Sequence, residues 1–170
     1  MVIMLTCSAF YHLWCWDWSK ANRLLSLDHI GISSMIMGAY TPIMQYCGFY
    51  RVLALVWILG IGGCAQELYR SFGCGQGGAS GWSTLDVLHV VRYFVMTWAC
   101  TPVFPEITAA APQAYVCFGT AGLLLYTTGV LVFLRSSMEF HLPIWHGFVL
   151  AGAMCFYAAK VHLVGGMPAA

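Results

Sequence analysis

Charge is the scarcest feature of this 170-residue sequence, since only 8% of its residues are Asp, Glu, Lys or Arg. A soluble domain carries roughly 25% charged residues, so this chain has too few to cover a surface that faces water. The seven Lys and Arg nearly balance the six Asp and Glu, which excludes a basic nucleic-acid-binding protein and an acidic disordered tail. The chain is instead 61% hydrophobic, with a mean hydropathy of +0.78. The bilayer is therefore its expected solvent.

Several common signals are also missing. The sequence has no CxxC pair, and most of its eight cysteines lie in or beside apolar runs, where Cys behaves as a small hydrophobe. We therefore predict no disulfide framework. The first residues, Met1 to Thr6, lack the charged head and cleavage site of a signal peptide, so they read as membrane helix. The Gly-rich segment at 75–78 lacks the Lys-Ser/Thr that completes a phosphate-binding loop.

Six apolar stretches predict transmembrane helices, because about 20 apolar residues cross the hydrocarbon layer. They run from Met1 to about Trp16, from about Asp28 to Tyr46, from Val52 to about Leu68, from about Leu85 to Phe104, from about Ala114 to Leu134, and from about Pro143 to Val164. The first stretch is short, and the polar residues 71–84 form a loop. The sequence thus predicts an all-α fold, a polytopic membrane helix bundle in a single domain over residues 1–170.

Alternation of the spans assigns every loop to one of two membrane sides. The side on which the first span ends, called side A, holds the loops with Lys20, Arg23, Arg70 and Arg135, whereas the opposite side B holds Arg51 and Lys160. Cytoplasmic loops carry the excess of Lys and Arg. Side A is therefore predicted to be cytoplasmic.

Ionisable side chains inside apolar spans are rare and mark functional sites. Alternation brings five of them to side A at similar depth: His12, Asp28, His29, His141 and His146. Imidazoles, a carboxylate and a small hydroxyl such as that of Ser8, one helical turn before His12, are the groups found at catalytic zinc sites. A carboxylate there can orient a zinc-bound water or act as its general base. The sequence predicts a zinc site at this side.

Simpler interpretations apply to some of these polar residues. Asp28 is also suited to cap its helix, and it can serve in both roles. His29 points about 100° away from Asp28 on a helix, so a structural role is favoured over metal ligation. His89 and Arg92 share a helix face and could pair with Asp86; we favour a role in packing over the lining of a cavity. Two sets of glycines, Gly60, Gly62 and Gly63, and separately Gly119 and Gly122, allow close helix approach.

Five segments of the chain resemble motifs of the hemolysin III family, which is grouped with the progestin and adipoQ receptors. They are Ser8-Ala-Phe-Tyr-His12, Leu27-Asp28-His-Ile-Gly31-Ile, Gly38-Ala-Tyr-Thr-Pro42, Gly122-Leu-Leu-Leu-Tyr126-Thr-Thr-Gly129, and Phe140-His-Leu-Pro-Ile-Trp-His146-Gly-Phe-Val. They occur in family order and cover nearly the whole chain. Each motif is weak alone, and the five together are specific.

The resemblance implies seven transmembrane helices and a zinc ion near the cytoplasmic face. In the family, the His of an S-x-x-x-H motif and two His of the last helix hold the metal, and an Asp approaches it through water. Matched to this chain, the motif residues are Ser8, His12, Asp28 and His146. The family's first helix has no counterpart here, so the chain is expected to be either N-terminally truncated or a six-helix variant, and the short first span favours truncation.

The second metal-binding His of the last helix is the point of departure from the family. The family spaces its two His four residues apart, but Leu142 occupies that position here. His141 lies five residues before His146, about 140° away on a helix. His141 could reach the metal from a non-helical segment before Pro143; the alternative is a degenerate site that binds zinc weakly or not at all.

The resemblance implies a membrane enzyme that hydrolyses a lipid amide of ceramide-like chemistry, with Asp28 assisting the water and Ser8 positioning it. The partners expected are membrane lipid and a lipid substrate, with no nucleic acid; the sequence identifies no soluble partner. The alternative is a receptor or signalling scaffold with structural zinc and no catalysis. A pore-forming role has little support in the sequence. A further alternative is a haem protein in which His12 and His146 bind the iron, and a visible absorption spectrum would detect the haem.

Overall fold

The structure, a computed structural model, describes residues 6–7, 9–10, 18–72, 84–135 and 137–165, with backbone alone at 18–22 and 86. The fold is all-α, and the described residues contain no strand. From residue 18 onward, the described residues form these α-helices in order: α1 Trp18–Cys47, α2 Tyr50–Ser71, α3 Thr84–Thr97, α4 Phe104–Ala110, α5 Gln113–Phe133 and α6 His141–Gly165. A 3-10 turn, Thr101–Val103, precedes α4.

Within the described part of the chain, four segments are long and apolar enough to cross a membrane: Tyr50–Ser71, Val87–Ala110, Gln113–Phe133 and His141–Gly165. Large apolar side chains on these helices are exposed, among them Ile58 at 68% and Met154 at 62%. Lipid is the solvent that such a surface requires. The protein is an integral, multi-pass membrane protein.

The helices form two compact units, residues 1–102 with α1–α3 and residues 103–170 with α4–α6. In the first unit, Gly48 joins α1 to α2 with a φ of 77°, a backbone conformation that favours glycine. Met37 packs directly on Gly60, where a Cβ would lie 2.5 Å from the Met37 Sδ. Val56 and Met96 complete this core.

In the second unit, α5 packs on α6 through glycines on both helices. A Cβ at Gly152 would lie 2.6 Å from the Tyr126 ring, and one at Gly129 would lie 2.9 Å from the ring of Trp145. Small residues let membrane helices approach closely, which maximises van der Waals contact in the absence of a hydrophobic driving force. Close packing therefore holds this helix pair together.

The predicted close approaches are confirmed at three glycines and wrong at two. A Cβ at Gly60 or Gly63 would clash with a neighbouring side chain, and one at Gly122 would make a tight contact of 3.1 Å with the Phe156 ring. Gly62 has nothing within 4 Å among the described residues, and Gly119 has only an ordinary contact at 3.9 Å. Glycine spacing alone does not reveal which face of a helix meets a neighbour. The rotation of the helix about its axis decides it.

Some predicted boundaries differ from the observed ones. Helix α1 begins at Trp18, well before Asp28, where the predicted span begins. The polar residues before Asp28 are unfavourable in lipid, but they are compatible with an α-helix. Residues 105–110, which lie between the predicted fourth and fifth spans, belong to helix α4, whose first turn accommodates Pro105. Helix α6 begins at His141 rather than at Pro143. The first predicted span and the loop at 71–84 lie largely outside the described residues.

Candidate metal centre

Three titratable side chains from three helices meet inside the first unit. His29 lies in the first half of α1, Glu67 in the last turns of α2, and His89 in the first turns of α3. Because α1 and α2 form a hairpin, the beginning of one lies beside the end of the other. The three side chains therefore converge at one end of this unit.

The Glu67 carboxylate lies at the centre of the group. Its Oε1 is 3.3 Å from His29 Nδ1 and in direct contact with His89 Nε2. The Glu67 and His89 side chains are only 1% and 3% exposed, and that of His29 is 21% exposed. Glu67 Oε2 has no hydrogen-bond partner among the described residues.

One ligand atom from each of these residues lies within 4.8 Å of the others, so the group could hold a metal ion. Within the described part of the chain, no other trio of His, Cys, Asp or Glu meets this condition. Two imidazoles and a carboxylate are ligands that zinc accepts. We refer to His29, Glu67 and His89 as the histidine–glutamate group.

Arg92, one turn after His89 on α3, supplies the opposite charge. Its guanidinium donates to Gln66 Oε1 at 2.8 Å and contacts His89 Nδ1. It also lies 5.6 Å from the centre of the Tyr93 ring. Gly63 makes room for it, because a Cβ there would be 2.6 Å from Arg92 Cζ. A positive and a negative side chain thus share one buried network, which lowers the free energy of holding either one away from water.

Tyr93 orients the part of α1 that carries His29. Its hydroxyl donates to the His29 carbonyl at 2.9 Å, and its ring lies 5.6 Å from that of His89. Groups that fix a histidine's backbone and ring direction are typical of the surroundings of a metal ligand. The same contacts also serve ordinary helix packing.

The residues predicted to form the zinc site lie in different parts of the chain. Ser8 and His12 lie outside the described residues. Asp28 is half-buried on α1, beside His29 in sequence. His141 and His146 belong to the second unit, on α6. The zinc site built from these residues stays a prediction.

The two histidines of α6 have similar local geometry. His146 Nδ1 lies 2.8 Å from the Leu142 carbonyl oxygen, and His141 Nδ1 lies 3.0 Å from that of Met138. Because a carbonyl oxygen can only accept, each Nδ1 carries a hydrogen, and in the neutral form of the ring each Nε2 has the lone pair. Both residues are helical, so their side chains leave the axis about 140° apart.

Sequence reasoning missed Glu67 and gave His29 a structural role. A lone carboxylate near the end of an apolar span was the available signal. His89 and Arg92 do contact each other, as their spacing predicts, but the carboxylate that meets His89 is Glu67 on another helix. The predicted pairing with Asp86 falls on a side chain outside the described ones.

The chain is similar to known proteins over most of its length. A family model described as Haemolysin-III related matches residues 1–157. The "Hemolysin-3 homolog" of Bacillus subtilis (strain 168) is 27% identical over 154 residues, which cover 84% of this chain and 67% of that protein. "Hemolysin-3" of Bacillus cereus is 31% identical over 158 residues, covering 85% and 64%. The chain thus spans about two thirds of the length of these relatives. No solved structure matches it significantly.

Proposed function

This chain belongs to the haemolysin-III related family, and from that premise we propose that it is a zinc-dependent membrane hydrolase of a lipid amide of ceramide-like chemistry. The observation that carries the proposal is the orientation of His146. Its Nδ1 faces the Leu142 carbonyl at 2.8 Å, so its Nε2 has the lone pair that a zinc ion requires. Histidines that bind zinc usually donate their other N–H in this way.

The residues proposed to hold the zinc are His12 and His146. His141, the third imidazole predicted from the sequence, is helical and leaves the α6 axis about 140° from His146, so it would join them only if the first turn of α6 unwound. Zinc in such a site is a Lewis acid that lowers the pKa of a bound water to about 7. The donor set fits the metal, because neutral imidazoles are preferred zinc ligands. His141 makes the corresponding contact, with its Nδ1 3.0 Å from the Met138 carbonyl oxygen.

Asp28 is the proposed general base. It accepts a proton from water while the water oxygen attacks the amide carbonyl carbon, and Ser8 donates a hydrogen bond to the developing oxyanion. The C–N bond then breaks and the proton passes to the leaving nitrogen, which gives a fatty acid and an amine. The apolar exposed helix faces suit a substrate that arrives from the bilayer.

Release of fatty acid from ceramide by the purified protein tests this proposal. We expect Asp28→Asn to lower the rate by at least about 100-fold, since loss of a general base costs 10²–10⁴. Removal of zinc with a chelator should abolish release, and added zinc should restore it. The matched control is Glu106→Gln, which removes an exposed carboxylate on α4 and should leave the rate unchanged. Equal rates for wild type and Asp28→Asn would contradict the proposal.

A second candidate is a receptor or scaffold in which zinc is structural and no turnover occurs. The observation that favours it is the start of α6 at His141, which directs His141 and His146 away from each other. A zinc ion bound by fewer protein ligands than in the family pattern can still hold helices together and stabilise the fold. This candidate predicts that a chelator lowers the melting temperature of the protein while fatty acid release is absent with or without zinc.

A further inference from the structure

We propose that the histidine–glutamate group is a second zinc site, distinct from the one proposed at His12 and His146, and that Arg92, which contacts His89 beside the group, is a counter-cation that moves away from His89 when zinc binds. The starting observation is that His29, Glu67, His89 and Arg92 are all ionisable and lie in helices of a membrane protein. Such side chains are costly in a membrane and are retained for a function. The proposed hydrolysis uses none of them.

The group has the reach that zinc requires. Ligand atoms bound at about 2.1 Å in a tetrahedron lie about 3.4 Å apart, and the three atoms here lie within 4.8 Å of one another. Shifts of about 1 Å in side-chain position would complete such a site. The acceptor Glu67 Oε2, buried and without a hydrogen-bond partner among the described residues, is a further ligand atom available to the metal.

The hydrogen-bond pattern describes the metal-free state. Arginine only donates, so His89 Nδ1 accepts from Arg92. In the neutral ring His89 Nε2 therefore carries the hydrogen, and this nitrogen is in direct contact with Glu67 Oε1. Arg92, His89 and Glu67 form a chain of donors and acceptors with no net charge. This arrangement is stable without a metal.

Zinc binding would reverse the roles of the His89 nitrogens. The metal takes the Nε2 lone pair, so the hydrogen of this neutral ring moves to Nδ1, with no proton gained or lost by the ring. Nδ1–H then faces a guanidinium N–H, two donors without an acceptor, and the positive charge of Arg92 opposes that of the metal. Arg92 must leave His89. Gln66, already bonded to it at 2.8 Å, provides an alternative acceptor.

This mechanism separates a metal site from a purely structural ion network. In a structural network, removing Arg92 destabilises the fold and creates no metal affinity. In the proposed site, Arg92→Met keeps all three ligands and removes the competing cation, so it should tighten zinc binding by about tenfold or more. Tighter zinc binding in Arg92→Met than in the wild type therefore distinguishes the proposed metal site from a structural network.

The experiment measures zinc per chain in the purified full chain, and its affinity by competition with a chelator. We expect two equivalents in the wild type, of which Glu67→Gln removes one and His12→Ala the other. The matched control Glu106→Gln should retain both. One equivalent that depends on Glu67 alone supports this inference and contradicts the zinc site of the proposed function. Zinc content unchanged in Glu67→Gln overturns this inference and leaves the other site untouched.

A conservative variant of Glu67 distinguishes the loss of a metal ligand from the loss of the fold. Glu67→Asp keeps the buried charge but shortens the side chain by one methylene, so it should preserve helical circular dichroism and weaken zinc binding by about tenfold or more. Looser or unchanged zinc binding in Arg92→Met would overturn the proposed competition. Wild-type affinity in Glu67→Asp would overturn the metal site itself.

Discussion

Glu67 and Arg92 show how single residues can hold charge inside a membrane helix bundle. Each has a partner from a neighbouring helix or turn: His29 and His89 surround the carboxylate, and Gln66 accepts from the guanidinium. Removing one partner of such a network leaves a buried charge uncompensated, which destabilises more than loss of the contact itself. The residues around this network are therefore expected to be sensitive to small changes.

Gly63 provides a test at this scale. Gly63→Ala places a Cβ 2.6 Å from Arg92 Cζ, and although the Arg92 side chain is flexible, moving it breaks its bonds to Gln66 and His89. We expect a loss of about 1–3 kcal/mol in the free energy of unfolding, measured by denaturant unfolding in detergent.

The control for this prediction is the neighbouring glycine. Gly62→Ala adds the same methyl group where nothing lies within 4 Å. Alanine is the better helix former by up to about 1 kcal/mol, so stability should stay equal or rise. Equal losses in both variants would mean that Arg92 is not held as described.

At the scale of elements, the pair α5 and α6 depends on close contact between backbones. Gly152→Ala would drive a Cβ to 2.6 Å from the Tyr126 ring and 3.3 Å from the Gly122 carbonyl oxygen. A ring and a backbone cannot move aside as an arginine tip can. We expect destabilisation by about 1–3 kcal/mol, read from the thermal unfolding of the protein in detergent. Gly119→Ala, whose Cβ meets Tyr115 only at 3.9 Å, should behave as wild type; parallel losses in both would refute the packing argument.

At the scale of the whole molecule, the exposed apolar surface requires a bilayer, and the distribution of charge predicts how the chain is oriented in it. Four Lys and Arg of side A oppose two of side B, so side A is predicted to be cytoplasmic. A reporter inserted in the connection after Arg135 should then be cytoplasmic. A reporter at the chain end, after the last span, should be on the other side. Alkaline phosphatase activity and green fluorescence at the two positions measure this, and the opposite pattern would reverse the orientation.

The sequence alone predicts that the protein lies in a lipid bilayer, that its fold is all-α, and where most of its transmembrane spans lie. Helices α2 and α5 lie within about three residues of their predicted limits, because hydropathy is a local property of the chain. The start of α1 was less predictable. Lys20 and Arg23 are too polar for a hydropathy pattern to include them in a span, but both residues are good helix formers. Family membership also follows from local motifs, which keep their order whatever the packing.

The identity of the buried group, in contrast, is a tertiary property. Alternation of spans indicates which helix ends share a side, but the meeting of His29, Glu67 and His89 depends on the rotation of three helices about their own axes. That rotation is set by contacts such as Met37 against Gly60 and Arg92 against Gly63, which no single segment encodes. Composition and motifs thus determined a membrane protein of this family, and side-chain packing between distant helices decided where its buried charges meet.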